Sequence, residues 1–356
     1  MKINSFLFIV LTISLFSACK ERSNNEFRYE VISIDLSKLI DIDICDSSKV
    51  THIPLELTDN SLLSHIEYME LKDNEVFVYD THRIMVFDVE GNFLWHLNRK
   101  GNGPGEYTTI NSFFLNDNMI CLYDDNIQTL FKYDTDGTFV EATRTTEIMS
   151  SIYPVGGKKF VGKKKYRGDR MQTPTLAMLN SNLELLFNIS NRNLTSGVGV
   201  FDYCYSYDDE ILYWEFLNDT IYSVDNENLT PKFYVDFQKF KIPAVERENK
   251  QLSEIIEYIN HRSSKHAAGV RYVQEDSQNI RFIFAFDESL NYAIYNKQTK
   301  QVSLYRIYDS SKTLKLDYFM KYYAGKVILV ANNPEDLESN PILLFIDEKI
   351  ILEASK

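Results

Sequence analysis

The chain has 356 residues, of which 44% are hydrophobic and 13% aromatic, with 23 Tyr beside 23 Phe. This composition supports a substantial core and favours strands, because large planar side chains pack well on a pleated surface. The net charge of −13 opposes nucleic-acid binding, which needs a basic face to release counterions from phosphates. We therefore expect a β-rich protein with no nucleic acid among its partners.

The N-terminus carries an export signal. Lys2 precedes an apolar run of eleven residues, Phe6–Phe16, which is too short to span a bilayer, and two small residues then precede Cys19. This pattern predicts a signal peptide over residues 1–18. The five residues that end at Cys19 resemble the lipobox, in which the cysteine is diacylated on sulfur. The alternative is an ordinary secretory signal in which Cys19 is incidental.

The stretch that follows Cys19 predicts a tether. Lys20–Glu26 is polar and lacks hydrophobic residues, as a flexible connection between lipid and domain requires. We assign residues 19–49 to a tether and N-terminal segment and residues 50–356 to one folded domain. The expected location is the cell envelope, with a lipid anchor in the bacterial membrane, at the outer membrane.

From residue 62 onward the chain repeats with a period of about 46 residues. Val86–Phe93 matches Lys132–Phe139, and in both segments a glycine supplies the positive φ of a tight turn between two strand-like runs. Four weaker copies follow. The six equivalent positions, spaced by 46, 46, 45, 71 and 51 residues, are Phe87, Tyr133, Leu179, Val224, Tyr295 and Ile346.

An apolar run that indicates a buried strand lies ahead of each turn. These runs are Val76–Tyr79, Met119–Tyr123, Phe160–Lys163, Ile211–Trp214, Ile280–Phe286 and Val327–Val330. Four strands in each repeat of about 40 to 50 residues are typical of propeller blades, whereas solenoids of helix pairs would show apolar residues at helical spacing. We predict an all-β fold, a six-bladed β-propeller with four-stranded blades.

The spacing of 71 residues contains a helical pattern. After Pro243, an apolar stripe at Leu252, Ile255, Ile256 and Ile259 follows the i, i+3, i+4, i+7 rule. This stripe predicts one inserted helix at about residues 244–262, between blades four and five. Such a helix either packs against the propeller or binds a partner.

The glycine-rich segment Arg99–Tyr107, with the sequence RKGNGPGEY, resembles the first-blade signature of the six-bladed β-propeller lipoproteins of Bacteroidetes, which are similar to NHL-repeat propellers. The resemblance extends from the lipobox through Thr51–Leu57 to the final strands. It implies the fold, lipidation and an envelope location, and it implies no established activity. We also expect Thr51–Leu57 to close the ring by joining the last blade.

Loops on one face of a propeller surround its central channel and commonly bind ligands. The binding candidates on this face are His82, Arg83, Gly101, Gly103, Gly105, Glu106, Tyr107, Asp124 and Asp125. The glycine-rich loop also has a structural interpretation, because its glycines permit a sharp crossover and Glu106 can accept bonds from backbone N–H groups. It is not a phosphate loop, since the Gly-Lys-Ser/Thr ending is missing.

Catalytic and metal-binding patterns are sparse. The six histidines form no paired ligand motif, and the three cysteines after Cys19 are isolated in sequence, so we expect neither a metal nor a cofactor. Cys121 and Cys204 lie in apolar runs that indicate core positions. No Gly-x-Ser-x-Gly elbow is present.

Two functions remain. The first is a non-catalytic binding or scaffold module for a glycan, a peptide or a partner protein of the envelope. The second is a hydrolase or lyase at the channel face that uses His82, Arg83 and channel carboxylates.

Asp219–Ile221 resembles a short O-glycosylation acceptor at Thr220. The alternative interpretation of this segment is a hairpin turn that leads into the next strand.

Overall fold

The computed structural model describes residues 29–156, 158–165, 176–189, 204–208, 210–215, 218–225, 227–243, 265–287, 289–336 and 338–353, with the single positions 246, 254 and 258. The predicted signal peptide and Cys19 lie outside these residues, as does most of the predicted helix at 244–262. The three described positions within that segment, Glu246, Glu254 and Tyr258, are helical.

The described residues form 26 strands. Three come before the first blade: β1 (Glu30–Ser33), β2 (Ile40–Asp43) and β3 (Val50–Pro54). Blade I contains β4 (Tyr68–Lys72), β5 (Glu75–Tyr79), β6 (Ile84–Asp88) and β7 (Phe93–Leu97). Blade II contains β8 (Ser112–Asn116), β9 (Met119–Asp124), β10 (Thr129–Asp134) and β11 (Phe139–Arg144). Blade III contains β12 (Met149–Val155), β13 (Lys159–Lys164), β14 (Leu176–Leu179) and β15 (Leu185–Ile189).

The second half of the ring follows the same order. Blade IV contains β16 (Cys204–Tyr207), β17 (Glu210–Tyr213), β18 (Thr220–Asp225) and β19 (Asn228–Asp236). Blade V contains β20 (Ala268–Glu275), β21 (Asn279–Phe286), β22 (Ser289–Asn296) and β23 (Val302–Tyr308). Blade VI contains β24 (Lys315–Tyr323), β25 (Lys326–Asn332) and β26 (Ile342–Asp347). Besides the helical positions within 244–262, the helical elements are two 3-10 turns, Leu36–Lys38 and Gln238–Phe240, and α1 (Glu348–Glu353).

In blades I to V the four blade strands pair antiparallel in chain order, and in blade VI the three strands β24 to β26 do so. The six sheets form a six-bladed β-propeller, which confirms the predicted fold. The six repeat positions from Phe87 to Ile346 all lie in the third strand of their blade, and the six apolar runs all match second strands. Gly91 and Gly137, in the turns after the third strands of blades I and II, have φ of 91° and 82°, as those turns require.

The core is divided among the six interfaces between neighbouring blades. Alternate residues of a middle strand face opposite neighbours: Ile120 and Leu122 of β9 pack towards blade I, and Cys121 and Tyr123 pack towards blade III. A cluster between blades VI and I completes the ring. Because both faces of these strands are buried, their sequences are nearly continuous apolar runs.

The N-terminal segment forms a belt, residues 30–54, along the outer edges of three successive blades. β1 pairs in parallel with β19 of blade IV, and β2 pairs in parallel with β23 of blade V. β3 pairs antiparallel with β26 and is the fourth strand of blade VI, which confirms ring closure by this part of the chain. The residues between 30 and 43 therefore add fifth strands to two blades.

The C-terminal helix is joined to blade V by a buried ion pair. Arg281 is 2% exposed, and its Nε and Nη2 donate to the two carboxylate oxygens of Glu348 at 2.6 and 2.8 Å. The Tyr292 hydroxyl donates to Glu348 at 2.9 Å, and the guanidinium stacks 3.8 Å above the ring of Tyr322. These contacts bind the C-terminal helix α1 to blade V.

Candidate ligand-binding site

Strand alternation places two sets of loops on one face of the ring. Loops between second and third strands, and loops that lead from one blade to the next, share this face because antiparallel strands reverse direction at each turn. We call it the upper face. All sequence-predicted binding residues and Thr220 lie in or beside its loops.

His82 and Arg83 occupy the upper turn of blade I and are held by Asp80. One carboxylate oxygen of Asp80 accepts the backbone N–H groups of both residues at 3.2 Å. The guanidinium of Arg83 donates to the carbonyl of Leu62 at 2.8 Å and to that of Asn60 at 3.4 Å. Arg83 thus fastens the loop 55–67 to blade I, while His82 is exposed.

The glycine-rich loop is a pinned crossover between blades I and II. The carboxylate of Glu106 accepts a hydrogen bond from the N–H of Gly103 at 2.7 Å. Gly105 has φ of 71°, and a Cβ added there would lie 2.6 Å from the ring of Phe139. Tyr107 is 1% exposed, and its hydroxyl donates to the carbonyl of His82 at 3.2 Å. Burial raises the pKa of Tyr107 to about 12. These contacts support the structural interpretation of the loop, and the Tyr107 ring is not available for stacking on a ligand.

The two aspartates of blade II also organise loops. Asp124 is fully buried and accepts the N–H and hydroxyl of Thr108 at 2.6 and 2.8 Å, together with the N–H of Thr109 at 3.1 Å. Asp125 forms an ion pair with Lys165 of blade III at 2.7 Å. The predicted candidates therefore cluster at blades I and II and bond chiefly to the protein itself.

Thr220 begins β18, directly after the upper turn of blade IV. Its N–H donates to the side chain of Asn218 at 3.1 Å, and it pairs with Tyr234 across the sheet. The residue is half-buried. This placement agrees with the hairpin interpretation of the segment.

A cavity of about 610 Å³ opens elsewhere on the upper face, where blades V, VI and I meet. Its volume lies in the range of about 300 to 1,000 Å³ that is typical of small-molecule sites. It is lined by Leu63, Ser64, His65, Ile66, Glu67, Arg271, Tyr272, Lys315, Asp317, Phe319, Asn332, Asn333, Pro334, Asp336, Ser339 and Pro341. None of these residues was a sequence-predicted candidate.

Irregular innermost strands shape one wall of the cavity. The pairing of β20 with β21 shifts register on both sides of Arg271, and the pairing of β24 with β25 shifts between Leu316 and Met320. Tyr272 has φ of 51°, which is a strained conformation for a bulky residue. Bulges re-aim side chains beside functional sites, and backbone strain of about 1 to 3 kcal/mol per residue concentrates at ligand clamps.

The opposite wall is held rigidly by one buried amide. Asn340 is 6% exposed and accepts the N–H of Leu63 at 2.8 Å, while its amide nitrogen donates to the carbonyls of Glu56 and Ser61, both at 2.8 Å. Together with Arg83, this residue orders the loop 55–67. The cavity wall is therefore preorganised, which lowers the entropy lost when a ligand binds.

The polar groups of the cavity are already partly bonded to one another. Nε2 of His65 lies 2.5 Å from Glu67, and Asn332 donates to Asp317 at 2.7 Å. Burial raises the pKa of Asp317, while the bond from Asn332 and the positive charges of Lys315 and His65 oppose that rise. The site can hold a small polar ligand through charged groups, amides and an aromatic ring.

A separate group of possible metal ligands lies at the outer edge of blade V. Oxygen or sulfur atoms of Asp43, Cys45 and Asp309 lie within 4.8 Å of one another. The carboxylates already accept hydrogen bonds from backbone N–H groups: Asp43 from Cys45 at 3.0 Å, and Asp309 from Leu314 at 2.7 Å. The group is thus explained as a pair of turn caps. Cys121 and Cys204 are buried, as predicted for core positions.

The ring of six sheets and the preorganised cavity on its upper face define a six-bladed β-propeller with a candidate ligand site. The chain belongs to the DUF4934 family, a domain of unknown function, which matches residues 31–341. No match was found among proteins with curated functions. Among the described residues, no helix combines the length and the apolar character needed to cross a membrane.

Two solved structures from Bacteroides share the fold. The crystal structure of an inferred exported protein from Bacteroides fragilis is 18% identical, with a TM-score of 0.68 over 89% of this chain and 99% of that chain. A member of the DUF4221 family from Bacteroides vulgatus is 10% identical, with a TM-score of 0.55 over 85% of this chain and 98% of that chain.

Proposed function

We propose that this protein is an exported, lipid-anchored binding module of the cell envelope that holds a small polar ligand in the cavity between blades V, VI and I. The observation that carries the proposal is Tyr272. A bulky residue with φ of 51° persists at the cavity wall, within the register shift between Arg271 and Gln274, and such strain is retained where it serves a site. The binding role is non-catalytic.

Hydrogen–deuterium exchange tests the binding role. We expect small molecules extracted from the native envelope to slow exchange in peptides that cover residues 63–67, 271–272 and 315–319. Asp317→Asn should weaken this protection, because the variant keeps the shape of the side chain and loses its charge. Asp125→Asn is the matched control, since Asp125 lies on the upper face in blade II, which does not line the cavity. Equal protection in all three proteins, or none in any, would contradict the proposal.

Lipidation is tested separately at Cys19. The lipobox-like segment and the short apolar run support an anchor at the outer membrane. We expect the wild-type protein to fractionate with membranes and to incorporate labelled palmitate. Cys19→Ala should appear in the soluble fraction without label. Persistence of the variant in the membrane fraction would overturn the anchor and would leave the cavity proposal intact.

A hydrolase or lyase is the second candidate, and one arrangement favours it. Oγ of Ser64 lies 3.3 Å from Nδ1 of His65, whose Nε2 faces Glu67, so a hydroxyl, an imidazole and a carboxylate follow one another. The same hydroxyl also lies 3.3 Å from the carbonyl of Asp80, and the His65 side chain is 49% exposed, which does not favour an activated nucleophile. Release of p-nitrophenol from a panel of p-nitrophenyl esters, abolished in His65→Gln, would establish a hydrolase instead.

A further inference from the structure

The described chain begins at the outer edge of blade IV. Tyr29 is the first described residue, and β1 follows it as the outermost strand of that blade. Tyr29 lies ten residues after Cys19, the residue for which we propose a lipid anchor. Ten residues span at most about 35 Å when fully extended. The outer edge of blade IV therefore stays within that distance of a membrane that holds the lipid.

The opposite side of the ring lies too far away to take the same position. The order of the interfaces places blade I three blades from blade IV in either direction. Neighbouring strands are about 4.8 Å apart, so the five strands of blade IV and the four of blade I separate their outer edges by about 34 Å even before the channel is added. A connection of at most about 35 Å that starts at one edge cannot pass around the ring to the other.

The solvent side of β1 is apolar next to this connection. Residues alternate along the strand, so Ile32 is buried between blades IV and V, whereas Val31 and Ser33 are exposed. Val31 is 48% exposed and Tyr29 is 49% exposed, and the Tyr29 ring meets Tyr234 edge-to-face with ring centroids 6.0 Å apart. An exposed tyrosine beside an aliphatic side chain suits a membrane interface, where the apolar body enters the lipid and the hydroxyl stays in water.

The carboxylate of β1 is already paired. The Nζ atom of Lys300 lies 2.6 Å from Glu30, and the Tyr295 hydroxyl donates to the same carboxylate. The chain as a whole carries a net charge of −13, which opposes its approach to an anionic membrane surface. A surface whose carboxylate is neutralised by a lysine opposes that approach least.

We propose that the outer edge of blade IV, at Tyr29 and Val31, rests on the bilayer to which Cys19 is anchored. This inference rests on the lipid anchor of the proposed function and names the surface that meets the membrane. β1 runs parallel to β19, towards the upper face, so Tyr29 is at the end of the strand nearer the opposite face. In this position the upper face does not lie on the bilayer, and the cavity between blades V, VI and I stays open to solvent.

Fluorescence quenching by nitroxide lipids measures which surface meets the membrane. The full chain, lipidated at Cys19, is reconstituted in vesicles of phosphatidylethanolamine and phosphatidylglycerol with a nitroxide-labelled phosphatidylcholine. The exposed Cys45 is replaced by serine, and one fluorescent label is attached at Ser33→Cys, at Leu94→Cys on blade I, or at Lys315→Cys in the cavity lining. We expect at least about twofold more quenching at position 33 than at the other two, because interfacial groups enter only about 5 to 10 Å of the headgroup region.

Serine substitutions test whether the two side chains make the contact. Tyr29→Ser combined with Val31→Ser should reduce quenching at position 33 about twofold, because interfacial binding scales with the apolar area that is buried. Leu94→Ser is the matched control, since Leu94 is 44% exposed on the outer strand of blade I and should leave quenching at position 33 unchanged. Each replaced side chain is about half exposed, so we expect all variants to fold, and thermal melts check this.

Each outcome decides between the inferences. Equal quenching at the three label positions, or the strongest quenching at position 315, would overturn the proposed contact and leave the lipid anchor intact, because the protein is still held by the vesicles. Undiminished quenching in the double serine variant would also overturn the contact. If the wild-type protein fails to float with the vesicles, both the anchor and the contact are wrong. The proposed ligand site in the cavity is independent of these results.

Discussion

Glu215 is a buried carboxyl group whose charge state should control the stability of the ring. It follows β17 at the upper face of blade IV and is 5% exposed. The Tyr213 hydroxyl donates to one of its oxygens at 3.0 Å, and the other oxygen has no hydrogen-bond partner among the described residues. Burial raises the pKa of Glu215 from 4.5 to about 7, against the opposing effects of the Tyr213 bond and the positive charge of Lys163.

The raised pKa makes stability fall as pH rises. Between pH 4.5 and about 7 the folded protein keeps the proton on Glu215, whereas the unfolded chain loses it. The contribution is complete below pH 4.5, is lost through this window, and is absent above about pH 7. At about 1.4 kcal/mol per pKa unit, the loss amounts to about 3 kcal/mol of unfolding free energy.

Glu215→Gln should remove this dependence, because the amide imitates the neutral acid. We expect the variant to match the wild-type protein near pH 4.5 and to exceed its unfolding free energy by about 3 kcal/mol at pH 8. Urea denaturation at four values between pH 5 and 8, followed by tryptophan fluorescence, measures the difference. Glu90→Gln, at an exposed turn, is the control and should show a constant difference. A pH-independent difference for Glu215→Gln would refute the reasoning.

Three further predictions concern the architecture. Arg281→Met should lower the unfolding free energy by about 3 to 5 kcal/mol, since it leaves Glu348 buried without its cation, and adding Glu348→Gln should restore part of the loss in urea melts. Gly105→Ala should lower the unfolding free energy by about 2 kcal/mol or more in urea melts, because of the positive φ and the adjacent phenyl ring. Protection of the cavity from hydrogen–deuterium exchange by envelope extract should be unchanged in this variant. Deleting residues 29–43 should lower the unfolding free energy by about 2 kcal/mol for each buried isoleucine that is removed, and the ring should stay closed. A longer deletion that extends to residue 57 should abolish cooperative thermal unfolding. An unchanged melt after the longer deletion would refute closure by β3.

The belt was only partly predictable. The sequence identifies the closing strand β3, which begins at residue 50. The structure adds two earlier strands that begin at residues 30 and 40, so the three strands start ten residues apart. A signal was present, because Ile32 and Ile34, like Ile42 and Ile44, alternate with polar residues as half-buried strands do. The segment is short and adjoins a polar stretch, so its strands become recognisable only through their pairing with the outer edges of blades IV and V.

The glycine-rich loop shows why an unusual local sequence can mislead about function. Its glycines and Glu106 are explained by a crossover that must approach Phe139 closely and satisfy its own backbone. Such requirements are local, and they therefore leave a visible motif. The cavity residues carry no comparable motif, although a charged residue within an apolar innermost strand, such as Asp317, is a signal that could have identified one of them.

The sequence by itself determined the number of blades, the position of each turn and the strand that closes the ring. These features follow from period-two burial and turn chemistry, which are properties of neighbouring residues. The tertiary structure alone decided where the cavity lies. Its walls come from residues 63–67, 271–272 and 315–341, which are far apart in sequence and meet because closure of the ring places blade VI between blades V and I. The register shifts that aim Arg271 and Tyr272 depend on pairing between strands, and no single segment contains that information.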